Sequence, residues 1–543
     1  MYSDKENINI LSALLVAHGV RHAVVCPGSR NAPIVHNLSE CPSLTCYPVT
    51  DERSAGFYAL GMALRTGLPT VVCVTSGSAL LNLAPAVAEA FYQRVPLVVV
   101  SADRPQQWID QLDGQTLPQP GAFGRFVAAA VNLPEVPSGD RESHWHCNRL
   151  VNEALLAATA RGGAPVHINV PISRPLYNFT RHDLPQERTV VRIPALRTDT
   201  TLIMRQMSEA RRPLIVVGQM RDGELPRAVT DALAVRHYVV LQEALSAEDG
   251  SESLDAMLKA ADETEFPLPD FIVYVGRTLV STRLKDYLRR AADARCWRID
   301  ETGAVIDTFM NLTGIVEGRP ADVLAAVGGC GPVGWYDRWQ QLRALAGDHR
   351  RSYEPAFSTM LAVKRFEERL PTDDAGARVF YANSMAVRMG CIYARHRIGC
   401  NRGVNGIEGS LSTAAGYSLL SDGNVYCVIG DLSFFYDRNA LWNSRLRGNF
   451  RILLFNNGGG GIFEKFSAIA DAADALNVKA QYRTTARGFC SDNGIDYLSV
   501  ADGSHLDEGL RWLTGNASGP RLLEVVTDSS TDWTNYENYF NTL

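Results

Sequence analysis

Short apolar segments alternate with helix-like segments along the whole chain of 543 residues, and this alternation constrains the fold more than any other feature of the sequence. Continuous apolar runs of four to eight residues are typical of strands that are covered on both faces. Helices between successive strands indicate a parallel sheet, because parallel neighbours need a long crossover. The segments that predict strands are 22–26, 70–74, 97–101, 165–170, 214–217, 238–241, 271–275, 298–300, 379–382, 425–429, 452–455 and 522–526. The pattern therefore predicts an α/β fold.

The alternation of strands and helices falls into three stretches. Pro171 and Pro175 follow the first stretch, a second stretch begins near Pro213, and a third follows residue 350. Domains of about 100–200 residues agree with three stretches of this size. We therefore expect three domains, 1–185, 186–350 and 351–543, each a parallel sheet flanked by helices.

Composition narrows the range of partners and compartments. The formal net charge is −6, with 53 basic and 59 acidic residues, so a strongly basic nucleic-acid-binding surface is not expected. The longest apolar runs fall far short of the roughly 18 residues that span a membrane, and the charged N-terminal segment lacks the layout of a signal peptide. The eleven cysteines are scattered singly, without a CxxC pair, which indicates reduced thiols. We expect a cytoplasmic protein without integral membrane association.

A carboxylate and an amide follow two successive predicted strands. Asp431 follows strand 425–429 after one glycine, and Asn457 with four glycines follows strand 452–455. The carboxyl ends of parallel strands meet at one edge of a sheet, where ligands bind in open α/β folds. Carboxylate, amide and carbonyl oxygens suit Mg²⁺, and glycines let the backbone approach a phosphate. Asp431 alone also fits a helix cap, and the glycine run alone also fits a turn. The two together at this spacing favour a metal and phosphate site.

This spacing resembles the fingerprint of thiamine diphosphate (ThDP) enzymes. The resemblance implies that Asp431, Asn457 and the carbonyl of Gly459 hold Mg²⁺, or Mn²⁺, on the cofactor diphosphate. Leu432 stands where the usual motif has glycine. Further cofactor contacts are implied at positions around the same two strand ends, namely Leu432, Ser433, Asn457, Gly460 and Ile462.

The family also uses a glutamate from another domain, and the segment TDERSAGFYALGMA (50–63) resembles the one that carries it. The resemblance implies that Glu52 is the catalytic acid that hydrogen-bonds the pyrimidine ring and promotes loss of the C2 proton. The alternative is a first-turn acid that complements a helix dipole. Asn82 resembles a position near the aminopyrimidine. Ile407 resembles the residue that wedges between the two cofactor rings, with an ordinary core residue as its alternative.

Four further segments narrow the resemblance: PGSRNAPI (27–34), SADRP (101–105), NSMAVR (383–388) and NRGVNGIEGSLSTAAG (401–416). Together with GDLSFFYD they resemble the 2-succinyl-5-enolpyruvyl-6-hydroxy-3-cyclohexene-1-carboxylate synthase family, transferases that join 2-oxoglutarate to isochorismate with loss of CO₂ in menaquinone biosynthesis. The likeness is weaker in the middle third. Other hypotheses are another ThDP-dependent 2-oxoacid decarboxylase or synthase, and a non-catalytic binding protein of the same fold. The joint presence of Glu52, Asp431 and Asn457 argues against the last.

Both implied substrates are dicarboxylates, which require local cations in a chain of net negative charge. The matching segments supply arginines, an amide, hydroxyls and an apolar wall: Arg30, Arg104, Arg388, Arg402, Gln115, Ser29, Ser384 and Phe463. In the stretch 275–285, Thr282 stands where the family carries Lys, beside Arg283. We expect Arg283, or Lys285, to supply the missing cation; the alternatives are that the other arginines suffice or that this is an exposed helix start.

The assembly follows from the same resemblance. Glu52 and Asp431 fall in different predicted domains, yet both must contact one cofactor. ThDP folds usually achieve this between subunits, so we expect a homodimer or a homotetramer.

Overall fold

The computed structural model describes residues 1–193, 198–250, 252–262, 266–370, 376–465, 476–482 and 484–543. The chain forms two compact units. The first comprises Met1–Pro194, Gly403–Asp422 and Tyr436–Arg447, and the second comprises Ala195–Arg402, Gly423–Phe435 and Gly448–Leu543.

The first unit contains a six-stranded parallel sheet. Its strands lie in the spatial order Thr45–Pro48, His22–Val25, Thr70–Val74, Leu97–Asp103, Val166–Pro171, Ala129–Asn132. All residues of the two central strands are buried, as expected for a sheet flanked by helices. The helices of this unit are Glu6–Ala17, Ala32–Glu40, Glu52–Thr66, Ser78–Asn82, Ala84–Gln93, Arg141–Ala158 and Ser410–Leu419. Tyr2–Ser3 pairs antiparallel with Phe179–Arg181.

Two helices of the first unit, Glu52–Thr66 and Ser410–Leu419, are in close backbone contact. A Cβ atom on Gly61 would lie 2.1 Å from the carbonyl oxygen of Thr413, and one on Gly416 would lie 2.3 Å from that of Tyr58. Only glycine allows so close an approach. This contact fixes the helix that begins with Glu52.

The second unit contains two parallel sheets. The five-stranded sheet has the order Val239–Gln242, Pro213–Val217, Phe271–Val275, Arg295–Ile299, Leu312–Val316. The six-stranded sheet has the order Ile398–Gly399, Arg378–Tyr381, Val425–Gly430, Phe450–Asn456, Arg521–Val526, Asp496–Val500. Its helices are Thr201–Glu209, Arg227–Val235, Leu254–Asp262, Thr282–Arg290, Pro320–Ala325, Val333–Ser352, Thr359–Arg369, Met385–Tyr393, Arg487–Asp492, Gly503–Thr514 and Ser529–Asn541, and Asp431–Asp437 begins in this unit.

One apolar cluster joins the two sheets of the second unit. It includes Leu241 in the five-stranded sheet, Trp339 in the helix Val333–Ser352, and Tyr381 and Leu453 in the six-stranded sheet. Backbone contacts reinforce the junction, since the amide of Ile398 donates to the carbonyl of Ala244 at 2.9 Å. A continuous buried apolar cluster of this kind is the main stabilising term in folding.

The predicted α/β architecture of parallel sheets is confirmed, with local corrections. The helix-like segment between strands Thr70–Val74 and Leu97–Asp103 is two helices that meet at Leu83, because Pro85 in the first turn of the second has no amide hydrogen. The strand predicted at 298–300 is Arg295–Ile299. No helix in the part of the chain that the structure describes is both long and apolar enough to cross a membrane.

Candidate cofactor and substrate site

The Asp431 carboxylate lies against the glycine-rich loop that follows the neighbouring strand. Strands Val425–Gly430 and Phe450–Asn456 pair in parallel, so their carboxyl ends meet at one edge. Oδ2 of Asp431 accepts hydrogen bonds from the amides of Gly458 and Gly459, at 2.9 and 3.1 Å. Oδ1 accepts one from the amide of Leu432 at 2.7 Å. The β-α-β unit therefore places the acid next to the segment that carries Asn457.

A second acid orients the Asn457 side chain. Nδ2 of Asn457 donates to Oδ2 of Asp532 at 3.0 Å, and Asp532 also accepts from the amide of Thr359 and the hydroxyl of Thr527, both at 2.8 Å. Because the amide nitrogen is held by Asp532, the amide oxygen is left to act as an acceptor or ligand. Asp532 lies 75 positions beyond Asn457, and no sequence motif pointed to it.

The donor set fits a divalent cation held together with a phosphate group. Asp431 is 3% exposed, and burial raises its pKa while the backbone amides lower it. Among the described residues, no group of three or more His, Cys, Asp or Glu side chains could hold a metal by itself. Mg²⁺ commonly takes one or two carboxylates and completes its shell with phosphate oxygens. A single carboxylate beside an amide oxygen is therefore suited to a metal–diphosphate pair.

The glycine-rich loop is folded against residues 479–482. The amide of Gly460 donates to the carbonyl of Lys479 at 2.7 Å, and the amide of Tyr482 donates to that of Gly458 at 3.1 Å. Burial and the adjacent Asp431 carboxylate raise the pKa of Tyr482, a residue to which no sequence motif pointed. Two pairs of predicted contact residues flank the loop: Leu432 and Ser433 in the first turn of Asp431–Asp437, and Ile462 and Phe463 in the short helix Gly461–Lys465.

In the first unit, Glu52 and Asn82 are hydrogen-bonded to each other. Nδ2 of Asn82 donates to Oε2 of Glu52 at 3.1 Å. Glu52 is the first residue of its helix, but the capping contact is made by Asp51, which accepts from the amide of Ser54 at 3.2 Å. The Glu52 carboxylate is therefore available for a role other than capping.

The loop that carries Ile407 is held by a buried glutamate. Glu89 accepts from the amides of Gly403 and Val404, both at 2.7 Å, through its two carboxylate oxygens. Ile407 is 41% exposed, so the alternative interpretation of this residue as ordinary core is wrong. Glu89 lies in the helix Ala84–Gln93, and no sequence motif pointed to it.

Cations gather in the first unit around the segments PGSRNAPI and SADRP. Arg30 is buried and donates to the carbonyl of Ile172 at 2.7 Å, and Arg104 pairs with Asp113 at 2.5 Å. Burial lowers the pKa of Arg30, and the positive charges of Arg104 and Arg174 lower it further. Arg174 was not predicted. Ser29, next to Arg30, is exposed.

Gln115 has a left-handed backbone, with a φ of 57°, and packs on a glycine. A Cβ on Gly77, whose φ is 87°, would lie 3.2 Å from the carbonyl carbon of Gln115. The amide of Gly77 donates to Oε1 of the buried Gln119 at 2.8 Å. The segment GQTLPQPG is thus fixed against the start of the helix that ends in Asn82.

In the second unit, Asn383 connects the two segments that carry predicted arginines. Its Nδ2 donates to the carbonyl of Asn401 at 2.6 Å, and its Oδ1 accepts from Nη1 of the buried Arg402 at 3.1 Å. Nη1 of Arg388 donates to the carbonyl of Ser384 at 2.8 Å. Ser384 has a φ of 71°, a strained value for a residue other than glycine, and such strain is concentrated at functional sites.

Arg283 and Lys285 differ in their surroundings. The Arg283 side chain is 40% exposed, 3.9 Å from Asp262, and its guanidinium lies 5.6 Å from the ring centroid of Phe540. Nζ of the half-buried Lys285 donates to the carbonyl of Leu279 at 3.2 Å. Thr282 is exposed and is the first residue of its helix, as the alternative of an exposed helix start predicted. Lys285 is half-buried and so is not solvated as that alternative required.

The predicted residues fall into both units. The first unit contains Glu52, Asn82, Ile407, Arg30 and Arg104. The second unit contains Asp431, Asn457, Arg283, Arg388 and Arg402.

Comparisons with known proteins identify the family of the chain. Residues 8–121 match the family model described as "Thiamine pyrophosphate enzyme, N-terminal TPP binding domain". A 2-succinyl-5-enolpyruvyl-6-hydroxy-3-cyclohexene-1-carboxylate synthase of Bacteroides thetaiotaomicron is 42% identical over the full length of both chains. Proteins of the same name from Porphyromonas gingivalis and Flavobacterium psychrophilum are 35% and 32% identical, each over 97% of this chain and over 95% and 96% of their own length. The chain therefore belongs to the 2-succinyl-5-enolpyruvyl-6-hydroxy-3-cyclohexene-1-carboxylate synthase family of ThDP-dependent enzymes.

Proposed function

We propose that this chain is a ThDP- and Mg²⁺-dependent transferase that joins 2-oxoglutarate to isochorismate with loss of CO₂ and forms 2-succinyl-5-enolpyruvyl-6-hydroxy-3-cyclohexene-1-carboxylate for menaquinone biosynthesis. The observation that carries the proposal is the pairing of Asp431 with the amides of Gly458 and Gly459. The names of its full-length relatives favour this reaction over that of another ThDP-dependent 2-oxoacid enzyme. We propose a cytoplasmic protein without a nucleic-acid partner.

The residues at the edge of the six-stranded sheet would hold the metal and the diphosphate. Asp431 supplies a carboxylate oxygen, Asn457 its amide oxygen, and Gly459 its carbonyl. Asp532 keeps the Asn457 amide in the orientation that presents its oxygen. The remaining cofactor contacts on this side are Leu432, Ser433, Gly460 and Ile462.

The residues of the first unit would act on the ring end of the cofactor. When bound, ThDP supplies the carbanion chemistry and electron sink for decarboxylation and carbon–carbon bond formation. The Glu52 carboxyl group would hydrogen-bond the pyrimidine ring, and Asn82 orients it by the hydrogen bond at 3.1 Å. Ile407, whose side chain is exposed, would contact the rings, and Glu89 fixes the loop that carries it.

The cations of both units would bind the dicarboxylate substrates. Arginine forks give short charge-assisted hydrogen bonds to carboxylates, and a site that positions two reactants gains much of its rate from their alignment. The proposed contacts are Arg30, Arg104, Arg283, Arg388, Arg402, Gln115, Ser29, Ser384 and Phe463.

We also propose three domains and an assembly of two or four identical subunits. The three sheets would correspond to a pyrimidine-binding domain at 1–185, a central domain at 186–350 and a diphosphate-binding domain at 351–543. A homodimer or homotetramer would let Glu52 of one subunit and Asp431 of another share a cofactor.

Release of CO₂ from 2-oxoglutarate tests the reaction class. The purified protein with ThDP and Mg²⁺ is expected to release CO₂ much faster when isochorismate is present, because only then is the four-carbon fragment transferred. Equal rates with and without isochorismate would favour a plain 2-oxoacid decarboxylase, and no release under either condition would favour a non-catalytic protein.

A further inference from the structure

Asn169, in the strand Val166–Pro171 of the first unit, is completely buried, yet its side chain forms hydrogen bonds at both ends. Its Oδ1 accepts from the hydroxyl of Ser101 at 2.7 Å and from Nε2 of Gln119 at 2.8 Å. Its Nδ2 donates to Oδ2 of Asp103 and to Oδ1 of Asn132, both at 2.8 Å. A primary amide has two donor hydrogens and an oxygen with two lone pairs, so all of its capacity is used here.

The orientation of the Asn169 amide follows from its acidic partner. A carboxylate only accepts hydrogen bonds, so the nitrogen must face Asp103. The Ser101 hydroxyl then gives its single proton to the amide oxygen, and Nε2 of His167, 2.7 Å from the same hydroxyl, must itself carry a proton. Burial lowers the pKa of His167 to about 4, so the ring is neutral at pH 7. A chain of donors therefore runs from His167 through Ser101 and Asn169 to Asp103.

One branch of this network ends at Arg104. Asp103 is 2% exposed, and its second oxygen, Oδ1, accepts from the backbone amide of Arg104 at 2.8 Å. Both oxygens of the carboxylate are thus held by donors, which fixes the backbone from which the Arg104 guanidinium extends. Asn169 therefore acts on Arg104 through Asp103.

A second branch ends at the segment GQTLPQPG, which carries Gln115. Nε2 of Gln119 also donates to the carbonyl of Ala102 at 3.1 Å, and Oε1 accepts from the amide of Gly77 at 2.8 Å. Gly77 packs on Gln115, whose φ of 57° is strained for a residue other than glycine. Such a backbone persists only where its surroundings hold it. Gln119 therefore supplies part of the support that Gln115 requires.

We infer that Asn169 is a positioning residue that couples the two substrate-binding segments of the first unit. Through Asp103 it fixes the backbone of Arg104. Through Gln119 it fixes the segment that carries Gln115. The inference rests on the proposed function, which assigns Arg104 and Gln115 to substrate binding. Because one buried amide serves both branches, its loss is expected to disturb both segments together.

Equilibrium binding to the ThDP- and Mg²⁺-loaded protein tests the inference separately from turnover. Calorimetric titrations would use isochorismate alone, which has no donor to react with, and glutarate, which lacks the keto group of 2-oxoglutarate. Arg104→Met is expected to weaken binding of one of them, and this identifies the dicarboxylate that Arg104 contacts. Asn169→Ala is expected to weaken binding of the same dicarboxylate by at least tenfold, while the dissociation constant of ThDP stays within about threefold of wild type.

A matched control removes another buried amide of the same unit. Asn152 is 2% exposed and donates to the carbonyls of Asn148 and Arg188, at 3.0 and 3.1 Å. Asn169→Ala and Asn152→Ala are both expected to lower the Tm, because each leaves buried polar groups without a partner. Asn152→Ala is expected to leave both dicarboxylate affinities unchanged, which separates positioning from a general loss of stability.

A second variant keeps the test decisive if Asn169→Ala does not fold. Gln119→Met fills a similar volume but breaks the hydrogen bonds to Asn169 and Gly77, and it is expected to weaken the same dicarboxylate by at least tenfold. Unchanged affinity in either folded variant, an equal loss in Asn152→Ala, or no effect of Arg104→Met would overturn the inference. Dicarboxylate binding that depends on Asn169 in a protein that releases no CO₂ would support the positioning role and contradict the proposed reaction.

Discussion

Asn82 donates a hydrogen bond to Glu52, with 3.1 Å between its Nδ2 and Oε2 of the carboxylate. The two residues lie on different helices of the first unit, and the helix cap beside Glu52 is supplied by Asp51. A carboxylate that is oriented by an amide and is not used for capping is suited to proton transfer.

Glu52→Gln is expected to lower kcat by at least about 100-fold, because general acid–base catalysis contributes roughly 10²–10⁴-fold. The dissociation constant of ThDP is expected to stay within about threefold of wild type, since the diphosphate end is unaltered. Steady-state kinetics and calorimetry measure the two quantities. Glu142, a first-turn acid behind the cap Asp140, gives the matched control Glu142→Gln, which should behave as wild type. A kcat unchanged in Glu52→Gln would refute the assigned role.

Asp431→Asn is expected to weaken ThDP binding in the presence of Mg²⁺ by about 100-fold or more, which corresponds to about 2.7 kcal/mol. The reason is that the metal would lose the one carboxylate that we propose as its ligand among the described residues, and the diphosphate would lose the counter-charge of that metal. Calorimetry with ThDP at fixed Mg²⁺ measures the change. Asp422→Asn, an exposed residue before the same strand, is the control. Retained affinity in Asp431→Asn would contradict the metal site.

The proximity of Asp431 to the loop that carries Asn457 followed from the sequence, because strand ends in a parallel sheet lie side by side. Asp431 and Asn457 each follow a strand with a clear apolar run, so their proximity could be predicted. Asp532 contacts Asn457, Tyr482 lies near Asp431, and Glu89 holds the loop before Ile407. They could not be predicted in this way, because they lie in elements without a motif and act only through hydrogen bonds or charge.

The strands that the pattern missed share one physical property. In the three parallel sheets described here, they are all edge strands: Thr45–Pro48, Ala129–Asn132, Leu312–Val316, Ile398–Gly399 and Asp496–Val500. Edge strands are partly exposed and so carry polar residues or are very short, which removes the continuous apolar signal. Central strands, which are buried on both faces, were predicted within a few residues.

Asp437 predicts a pH-dependent contribution to stability. This buried acid accepts from the amide and the hydroxyl of Ser412, and burial raises its pKa to about 7 from an ordinary value of 3.8. The pKa of Asp437 is higher in the folded state than in the unfolded state, so the folded state binds the proton more tightly. The stability that this proton contributes is therefore lost as the pH rises through 7. Asp437→Asn mimics the protonated acid, so its Tm relative to wild type is expected to rise between pH 5.5 and pH 8.

Thermal melting at a series of pH values measures this difference. Asp337→Asn, on the exposed side of another helix, controls for a general effect of charge removal and should show a constant difference. A Tm difference for Asp437→Asn that stays constant or falls between pH 5.5 and pH 8 would contradict the account of Asp437.

Subunit mixing tests the proposed assembly. Glu52→Gln and Asp431→Asn are each expected to be inactive alone. If a site takes Glu52 from one subunit and Asp431 from the other, each mixed dimer contains one intact site, and random exchange of equal amounts restores about a quarter of wild-type activity. Activity after co-refolding or co-expression measures this recovery. No recovery in a mixture shown by mass spectrometry to contain mixed dimers would place both residues in the same subunit's site.

The fate of the carbons of 2-oxoglutarate tests the proposed reaction most directly. With uniformly ¹³C-labelled 2-oxoglutarate, unlabelled isochorismate, ThDP and Mg²⁺, mass spectrometry is expected to find one labelled carbon in CO₂ for each product molecule that carries four labelled carbons. Labelled CO₂ without a four-carbon increment on isochorismate would contradict the account.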